Sequence, residues 1–252
     1  MKESPNAIWT VAGFDPSGGA GVLADVATFR VFQLDGVAAV TALTAQRPGR
    51  VAAVEPVTPA FLRLQLETLA EAFEPAYVKV GMVPDAALVD VIADFLAARP
   101  VTLVVDPVWR ASAGPSLTSD AALTRVRERL LPRCSAITPN LAEAGALLGE
   151  AAPTDLDGAG RAATALASLL RPDGVAIVTG GHLEGDPVDT LGFRDRIERL
   201  ASRRLPGDAH GTGCRFSAAV LAGLARQRSP ADAVRFAQQV VLRYIAGGTF
   251  PA

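Results

Sequence analysis

The chain has 252 residues, of which 50% are hydrophobic and 20% are charged, and its formal net charge is −2. This composition excludes a disordered chain and gives no sign of a surface that coats nucleic acid. The length suits one large α/β domain, which we expect to cover residues 1–252. No apolar run approaches the roughly 20 residues that span a bilayer. Because the two cysteines also form no CxxC pair or disulfide framework, we expect a cytoplasmic protein.

Short β-branched segments alternate with longer amphipathic segments along the chain. The predicted strands are Ala7–Ala12, Val37–Ala45, Ala76–Met82, Val101–Val105, Ser135–Thr138 and Gly174–Thr179. The predicted helices between them are Gly21–Phe32, Pro59–Ala72, Ala86–Ala97, Ala121–Leu131, Leu141–Leu148 and Ala159–Leu170. A predicted hairpin follows, Asp189–Asp195 with Arg199–Leu205, and then two closing helices, Gly211–Arg226 and Pro230–Ala246. This alternation predicts a parallel sheet between two layers of helices.

Polar groups follow nearly every predicted strand. They lie in residues 13–21, 44–46, 81–82, 106–108, 138–140, 180–182 and 210–214. In open α/β sheets, ligands bind outside the carboxyl ends of the strands. We therefore predict one shared site at this edge of the sheet.

Residues 210–214 read His-Gly-Thr-Gly-Cys and stand at the start of a predicted helix. Glycines at such a place let backbone N–H groups converge on one point, where the helix dipole adds partial positive charge. This arrangement predicts an anion site, with phosphate chemistry as the first hypothesis. The same field is expected to lower the pKa of the Cys214 thiol. The alternative is that the glycines only form a tight turn.

A glycine-rich loop at residues 13–21 contains a weak dinucleotide-type pattern, Gly19-x-Gly21-x-x-Ala24. The acidic residue expected roughly 20 positions later is missing, and no Lys-Ser or Lys-Thr follows to make a phosphate-binding P-loop. The loop therefore predicts a place where a small ligand lies against the backbone, with Asp15 and Asp25 nearby. The alternative is a tight turn in which Asp25 is only a solvated helix residue.

Asn140 and Glu143 lie three residues apart at a predicted helix start, so they share one side of its first turn. Oxygen ligands of this kind suit Mg²⁺, and Asp106 at the end of a buried strand adds a carboxylate. The alternative for Asn140 and Glu143 is a helix capping box. His182 and His210 have no spacing typical of a zinc site.

Eight motifs, taken together and in order, resemble the hydroxymethylpyrimidine/phosphomethylpyrimidine kinases of thiamine biosynthesis. They occupy residues 12–21, 24–25, 41–46, 79–82, 106–108, 138–144, 180–182 and 210–214. The resemblance implies a ribokinase-like fold, which is a three-layer α/β/α sandwich with a mostly parallel central sheet. It also implies a homodimer that phosphorylates hydroxymethylpyrimidine and then its monophosphate, using ATP and Mg²⁺.

The resemblance also implies roles for individual residues. The pyrimidine pocket would be lined by Gly13, Asp25, Gln46, Met82 and Val108. Asn140 and Glu143 would organise the Mg²⁺-bound phosphates. Gly211, Thr212 and Gly213 would form the anion hole, with Cys214 where related sugar kinases have an aspartate base. Such a site works by positioning and by electrostatic stabilisation of a charge-rich transition state.

Two phosphate-side lysines of that family are absent from this chain. Thr179 stands at one of these positions, and the other lysine is lost after Asp106. We predict that Thr179, Gly181 and Arg215 bind the nucleotide. We hypothesise that Arg215 or Arg110 supplies the missing charge. Two alternatives remain open. One is a catalytically degenerate protein that binds pyrimidine or nucleotide. The other is a kinase for a related substrate such as pyridoxal, which would differ in pocket residues such as Phe14, Leu23 and Trp109.

Overall fold

The computed structural model describes residues 7–110, 117–181, 183–206 and 209–247. Nine strands within these residues form one sheet: β1 (Ala7–Phe14), β2 (Asp35–Arg47), β3 (Arg50–Pro56), β4 (Tyr77–Val80), β5 (Thr102–Val105), β6 (Ala136–Ile137), β7 (Val175–Val178), β8 (Val188–Gly192) and β9 (Ile197–Ala201). Their order is β3-β2-β1-β4-β5-β6-β7-β8-β9. The neighbouring strands β2, β1, β4, β5, β6 and β7 pair in parallel. Strand β3 pairs antiparallel with β2 at one edge, and β8 and β9 add antiparallel at the other edge. The predicted mostly parallel sheet is confirmed.

The helices of the described residues are α1 (Gly21–Val31), α2 (Pro59–Ala70), α3 (Ala86–Leu96), α4 (Asp120–Arg125), α5 (Leu141–Leu148), α6 (Leu156–Leu169), α7 (Thr212–Ala225) and α8 (Pro230–Ile245). Side-chain caps fix several of their starts. Thr58 accepts a hydrogen bond from the Phe61 amide ahead of α2, and Asp155 accepts one from Gly158 ahead of α6. Each cap satisfies a backbone N–H that has no partner within its helix.

One local prediction was wrong, and one strand was missed. The predicted helix Ala121–Leu131 is α-helical only to Arg125 and continues as a π-helical turn and a 3-10 turn. Pro132 lies in that 3-10 turn, where its missing N–H would interrupt an α-helix. Strand β3 was not predicted at all. It pairs with β2 through a tight turn at Gly49, whose φ is +76°, a conformation that glycine adopts readily.

Side chains alternate between two apolar layers, one on each face of the sheet. Trp9 and Leu103 pack with helices α2 to α6 on one face. Their neighbours Ile8 and Val104 pack with α1, α7 and α8 on the other face. Because successive strand residues point to opposite faces, each buried strand contributes to both layers. None of the helices in the described part of the chain combines the length and apolar character that a bilayer crossing requires.

Candidate active site

The candidate site lies at the carboxyl edge of the parallel strands. The glycine loop, residues 15–20, leads from β1 into α1, and the anion turn, residues 209–211, leads into α7. A Cβ atom built on Gly211 would lie 1.9 Å from the backbone oxygen of Gly19, so the two segments touch backbone to backbone. The structure therefore joins two motifs that are almost 200 positions apart in sequence.

Helix α7 begins without a hydrogen bond from an N-cap side chain. Its N-cap, Gly211, has φ +79° and supplies no side-chain hydrogen bond to the first turn. Within the described part of the chain, the N–H groups of the first helical residues, Thr212, Gly213 and Cys214, therefore have no N-cap side chain as a partner. An anion is the usual partner for such groups, because the dipole of the helix favours negative charge there.

Asp15 organises the glycine loop. Its Oδ1 accepts hydrogen bonds from the Ser17 amide at 2.9 Å and the Ser17 hydroxyl at 2.8 Å, and its Oδ2 accepts one from the Ala20 amide at 2.9 Å. His210 Nε2 lies 2.9 Å from the same Oδ2. Burial opposes ionisation of this carboxyl, but these hydrogen bonds outweigh it and hold the pKa of Asp15 below its ordinary value. Asp15 is therefore an anion that links the glycine loop to the anion turn.

The guanidinium of Arg215, which was predicted to bind phosphate, contacts other parts of the protein instead. Its guanidinium donates to the backbone oxygen of Gly19 and lies 3.5 Å from that of Gly18. It also stacks on Tyr244, with 3.8 Å from the guanidinium carbon to the ring centroid. Only 8% of Arg215 is exposed. In this structure Arg215 ties α7 to the glycine loop and to α8, because these neighbours occupy its guanidinium.

Arg110, the other candidate cation, stacks on the ring of Trp109 at 4.1 Å. It is exposed, and it is the last described residue before the gap at residues 111–116. Its role as a phosphate ligand stays a prediction.

A buried ion cluster lies directly beneath the site. Lys79 Nζ, on β4, is 2.7 Å from Asp25 Oδ1 on α1 and 3.6 Å from Asp106 Oδ2 after β5. Thr10 Oγ1 donates to Asp25 Oδ2 at 2.6 Å, and Ser217 Oγ on α7 hydrogen-bonds Asp106 Oδ2 at 2.9 Å. Burial disfavours the ammonium group, but the charges of Asp25 and Asp106 and the hydrogen bond to Asp25 act together against it, and the pKa of Lys79 is raised. We call these five residues the Lys79 cluster.

The Lys79 cluster changes the interpretation of Asp25. The prediction that Asp25 lines the pyrimidine pocket is not supported, because the residue is 0% exposed and its carboxylate is occupied by Lys79 and Thr10. The alternative, a solvated helix residue, is wrong for the same reason. Asp25 points from α1 toward the sheet, where it bonds Thr10 on β1 and Lys79 on β4.

The predicted lowering of the Cys214 pKa is wrong. Cys214 lies at the start of α7, half-buried in the structure. Burial raises the pKa of its thiol to about 12, although Lys79 acts in the opposite direction. The carboxylates of Asp106 and Asp25 add to the rise. The helix dipole is therefore too weak to keep a thiolate in this position without bound ligands.

Asn140 and Glu143 form a capping box at the start of α5, which confirms the structural alternative. Asn140 Oδ1 accepts from the Glu143 amide and Glu143 Oε2 accepts from the Asn140 amide, each at 2.9 Å. Burial, and then the charge of Asp106, raises the pKa of Glu143 to about 8. Among the described residues, no group of three or more His, Cys, Asp or Glu side chains is placed to hold a metal ion. The metal role of Asp106, Asn140 and Glu143 stays a prediction.

The remaining pocket residues lie on the same edge. A Cβ on Gly13 would be 2.4 Å from Met82 Cε, so these two predicted pocket residues are in contact. Thr41 Oγ1 donates to the backbone oxygen of Met82 at 2.7 Å and fixes it beside β2. Gln46 at the end of β2 reaches His210. Val108 follows Asp106 and is half-buried.

The predicted nucleotide region follows β7. Thr179 donates its amide N–H to the Pro139 oxygen at 2.9 Å, which places it beside Asn140. Asp189 accepts a hydrogen bond from the Gly180 amide at 3.2 Å. Arg204 donates to the Gly181 oxygen at 3.1 Å. His182, the third residue of this motif, lies outside the described residues.

A family model described as phosphomethylpyrimidine kinase matches residues 15–250 of the chain. The chain belongs to this family. A hydroxymethylpyrimidine/phosphomethylpyrimidine kinase from Streptomyces coelicolor is 37% identical over 249 residues, covering 98% of this chain and 91% of the relative. The resemblance inferred from the eight motifs is confirmed, and the chain is a phosphotransferase.

Solved structures of related kinases have the same fold. A phosphomethylpyrimidine kinase from Clostridium difficile superposes with a TM-score of 0.80 at 30% identity, covering 96% of this chain and 98% of that one. The pyridoxal kinase from Staphylococcus aureus, solved with AMP-PCP and pyridoxal, gives a TM-score of 0.85 at 29% identity, covering 95% of this chain and 88% of that one. The predicted ribokinase-like fold is confirmed for this kinase.

Lys79 belongs to the predicted motif at residues 79–82, but no role was predicted for it. The signal was present, since a lysine inside the buried segment Tyr77–Val80 requires an internal partner. Ser217, Tyr244 and Arg204 were also missed, because no local pattern marks a residue whose partner is distant in sequence.

The Lys79 cluster predicts a large loss of stability for Lys79→Met. Removing the ammonium leaves Asp25 as an uncompensated buried charge, which costs about 3–5 kcal/mol. The double variant Lys79→Met with Asp25→Asn removes both charges and should recover at least about 1 kcal/mol of that loss. Urea unfolding measures all these values.

Arg196→Met is the matched control for this test. Arg196 pairs with Asp195 and Glu198 at the surface, where its side chain is 54% exposed, and such pairs contribute about 0–1 kcal/mol. If Lys79→Met costs no more than Arg196→Met, the cluster does not stabilise the fold.

The raised pKa of Glu143 predicts a pH-dependent stability in metal-free buffer. The folded state keeps the proton up to pH about 8, whereas the unfolded state releases it near the ordinary value of 4.5. Between these values the folded state binds more protons, so this residue makes the free energy of unfolding decrease as pH rises. Glu143→Gln should remove that contribution while retaining the cap. Equal pH slopes for the two proteins, measured by urea unfolding with EDTA, would rule out this assignment.

Proposed function

We propose that this kinase uses Mg²⁺ and ATP to phosphorylate hydroxymethylpyrimidine and then its monophosphate, giving the diphosphate for thiamine biosynthesis. The observation that carries the proposal is the uncapped N-terminus of α7 lying against the glycine loop, with Cys214 above the Lys79 cluster. A small hydroxymethyl heterocycle held by the loop would have its hydroxyl close to a phosphate held by the helix.

In this proposal the chain acts mainly by positioning and by electrostatics. Gly13, Gln46, Met82 and Val108 line the pyrimidine, and the Lys79 cluster keeps the helix and strands beneath them in register. The backbone N–H groups at residues 211–213 stabilise negative charge on the transferring phosphoryl group. Cys214 is the candidate acceptor of the hydroxyl proton, a role that requires its thiol to ionise once the ligands are bound, because its pKa is raised without them. Thr179 and Gly181 contact the nucleotide phosphates.

The donor set suits Mg²⁺ in part. Asp106 and Glu143 are buried carboxylates whose mutual repulsion helps to raise the pKa of Glu143, and a cation would relieve that repulsion. With Asn140 they would hold Mg²⁺ through water and substrate phosphates, which is the usual way this ion binds. When bound, the ion neutralises negative charge on the phosphates.

A pyridoxal kinase is the second candidate. It is favoured by the likeness to the Staphylococcus aureus pyridoxal kinase solved with pyridoxal, at a TM-score of 0.85. The two reactions need the same phosphate chemistry and differ in the pocket, where Phe14 and Trp109 are half-buried and Leu23 is 40% exposed.

Product analysis by mass spectrometry separates these candidates. Purified protein with Mg-ATP should convert hydroxymethylpyrimidine to the monophosphate, and the monophosphate to the diphosphate. Pyridoxal in a parallel reaction should be a poorer substrate, as judged by kcat/KM. Preferential phosphorylation of pyridoxal would support the second candidate. No product from any substrate, with pyrimidine binding retained in calorimetry, would support a degenerate binding protein.

Variants of Cys214 test the proton-acceptor role. Cys214→Ala should lower kcat by about 10²–10⁴-fold, the usual contribution of a general base. Cys214→Asp places an ionisable carboxylate at the same position and should retain more activity than Cys214→Ala. If Cys214→Ala keeps kcat within about threefold of the parent, this role is wrong.

We further propose that the kinase is a homodimer. Leu43 on β2, which pairs with the edge strand β3, and Phe61 and Leu64 on α2, which packs against β2, are each more than half exposed. Exposed apolar patches of this kind often mark interaction surfaces. Light scattering of the purified protein should give twice the mass of the chain, and Leu64→Glu should halve it. A monomeric parent protein contradicts the proposal.

A further inference from the structure

His210 lies within hydrogen-bond distance of two groups through the same ring nitrogen. Its Nε2 is 2.9 Å from Asp15 Oδ2 and 2.9 Å from the terminal amide atom of Gln46 that is assigned as nitrogen. A ring nitrogen carries either a proton or a lone pair, so it cannot donate to Asp15 and accept from Gln46 at once. One of the two partners must decide where the proton is.

Asp15 decides it. This residue is 2% exposed, and its two oxygens already accept three hydrogen bonds from Ser17 and Ala20. An ionised carboxylate can only accept, and a bare ring nitrogen at 2.9 Å would place two lone pairs against each other. The imidazole therefore carries its proton on Nε2 and donates it to Asp15.

The amide of Gln46 must then be reversed. If oxygen occupies the position 2.9 Å from His210 Nε2, it shares the single ring N–H with Asp15 in a three-centre hydrogen bond, whereas an amide N–H there would point at the ring N–H. The amide nitrogen then occupies the position 3.2 Å from Thr44 Oγ1. Thr44 Oγ1 donates its own hydrogen to the Phe14 oxygen at 3.0 Å, so a lone pair remains for this new bond. This arrangement avoids both a lone pair facing Asp15 and two N–H groups facing each other.

Gly19 makes room for the ring. A Cβ on Gly19 would lie 2.3 Å from His210 Cδ2, so any other residue there would displace the imidazole. Tyr244 holds the backbone of His210 from the other side, since its hydroxyl donates to the His210 oxygen at 3.0 Å. The position of the ring is therefore fixed by the loop and by α8.

We propose that His210 is a positioning residue that sets the polarity of Gln46, so that Gln46 offers an N–H donor to an unprotonated ring nitrogen of the substrate. One amide hydrogen of Gln46 bonds Thr44, and the second is available to a ligand. The choice of a heterocycle with an acceptor nitrogen rests on the proposed function. The assignment of the His210 proton does not rest on it.

The first test is the tautomer of His210, measured by long-range ¹H–¹⁵N NMR on the full chain without ligands. The chain has only two histidines, so spectra of a His182→Gln variant assign the signals. We expect a protonated nitrogen at ε2. An unprotonated Nε2 with the proton on Nδ1 overturns the proposal, and this readout is independent of any kinase activity.

The second test separates binding from catalysis. Gln46→Glu keeps an acceptor for His210 but has no N–H for the ligand, so the KM for the pyrimidine should rise about tenfold, with kcat and the KM for ATP nearly unchanged. His210→Phe frees the amide and should raise the same KM. His210→Gln restores an N–H donor and should recover part of the loss. If Gln46→Glu and His210→Phe leave this KM within twofold of the parent, Gln46 is not held as a donor.

Discussion

The glycine loop and the start of α7 are held together above one buried ammonium group. Lys79 is fully buried and lies between Asp25 and Asp106. A charge in this position is tolerated only with close partners, because its desolvation is costly. The residues that compensate it come from α1, the end of β5 and, through Ser217, from α7. The cluster therefore fixes the distance between the first and last motifs of the chain.

The same constraint explains the glycines above the cluster. Because α1 and α7 are held against the same strands, the backbone of the glycine loop contacts the backbone of the anion turn. A side chain on Gly211 would overlap Gly19, and one on Gly21 would lie 2.1 Å from the Gly13 oxygen. Both residues have positive φ values. The close packing leaves the first N–H groups of α7 without side-chain caps, and this makes the edge suitable for phosphate.

The sheet was predictable because its strands are buried on both faces and therefore appear as apolar runs between amphipathic helices. Strand β3 was not, since its pairing depends on a turn at Gly49 rather than on an apolar run. The position of the site followed from the rule that ligands bind at the carboxyl ends of the strands. The contacts of Asp25 and Arg215 and the pKa of Cys214 were not predictable, because each depends on partners distant in sequence. A pKa set by burial or a guanidinium occupied by backbone oxygens leaves no local pattern.

The most direct test of this account is a crystal structure of the kinase with hydroxymethylpyrimidine, AMP-PCP and Mg²⁺. The account predicts the terminal phosphate on the backbone N–H groups of residues 211–213, and the hydroxymethyl oxygen between that phosphate and Cys214. It also predicts the Lys79 cluster intact beneath both ligands. Phosphates held away from the start of α7, or a pyrimidine that does not touch the glycine loop, would contradict the central claim that these segments form one active site.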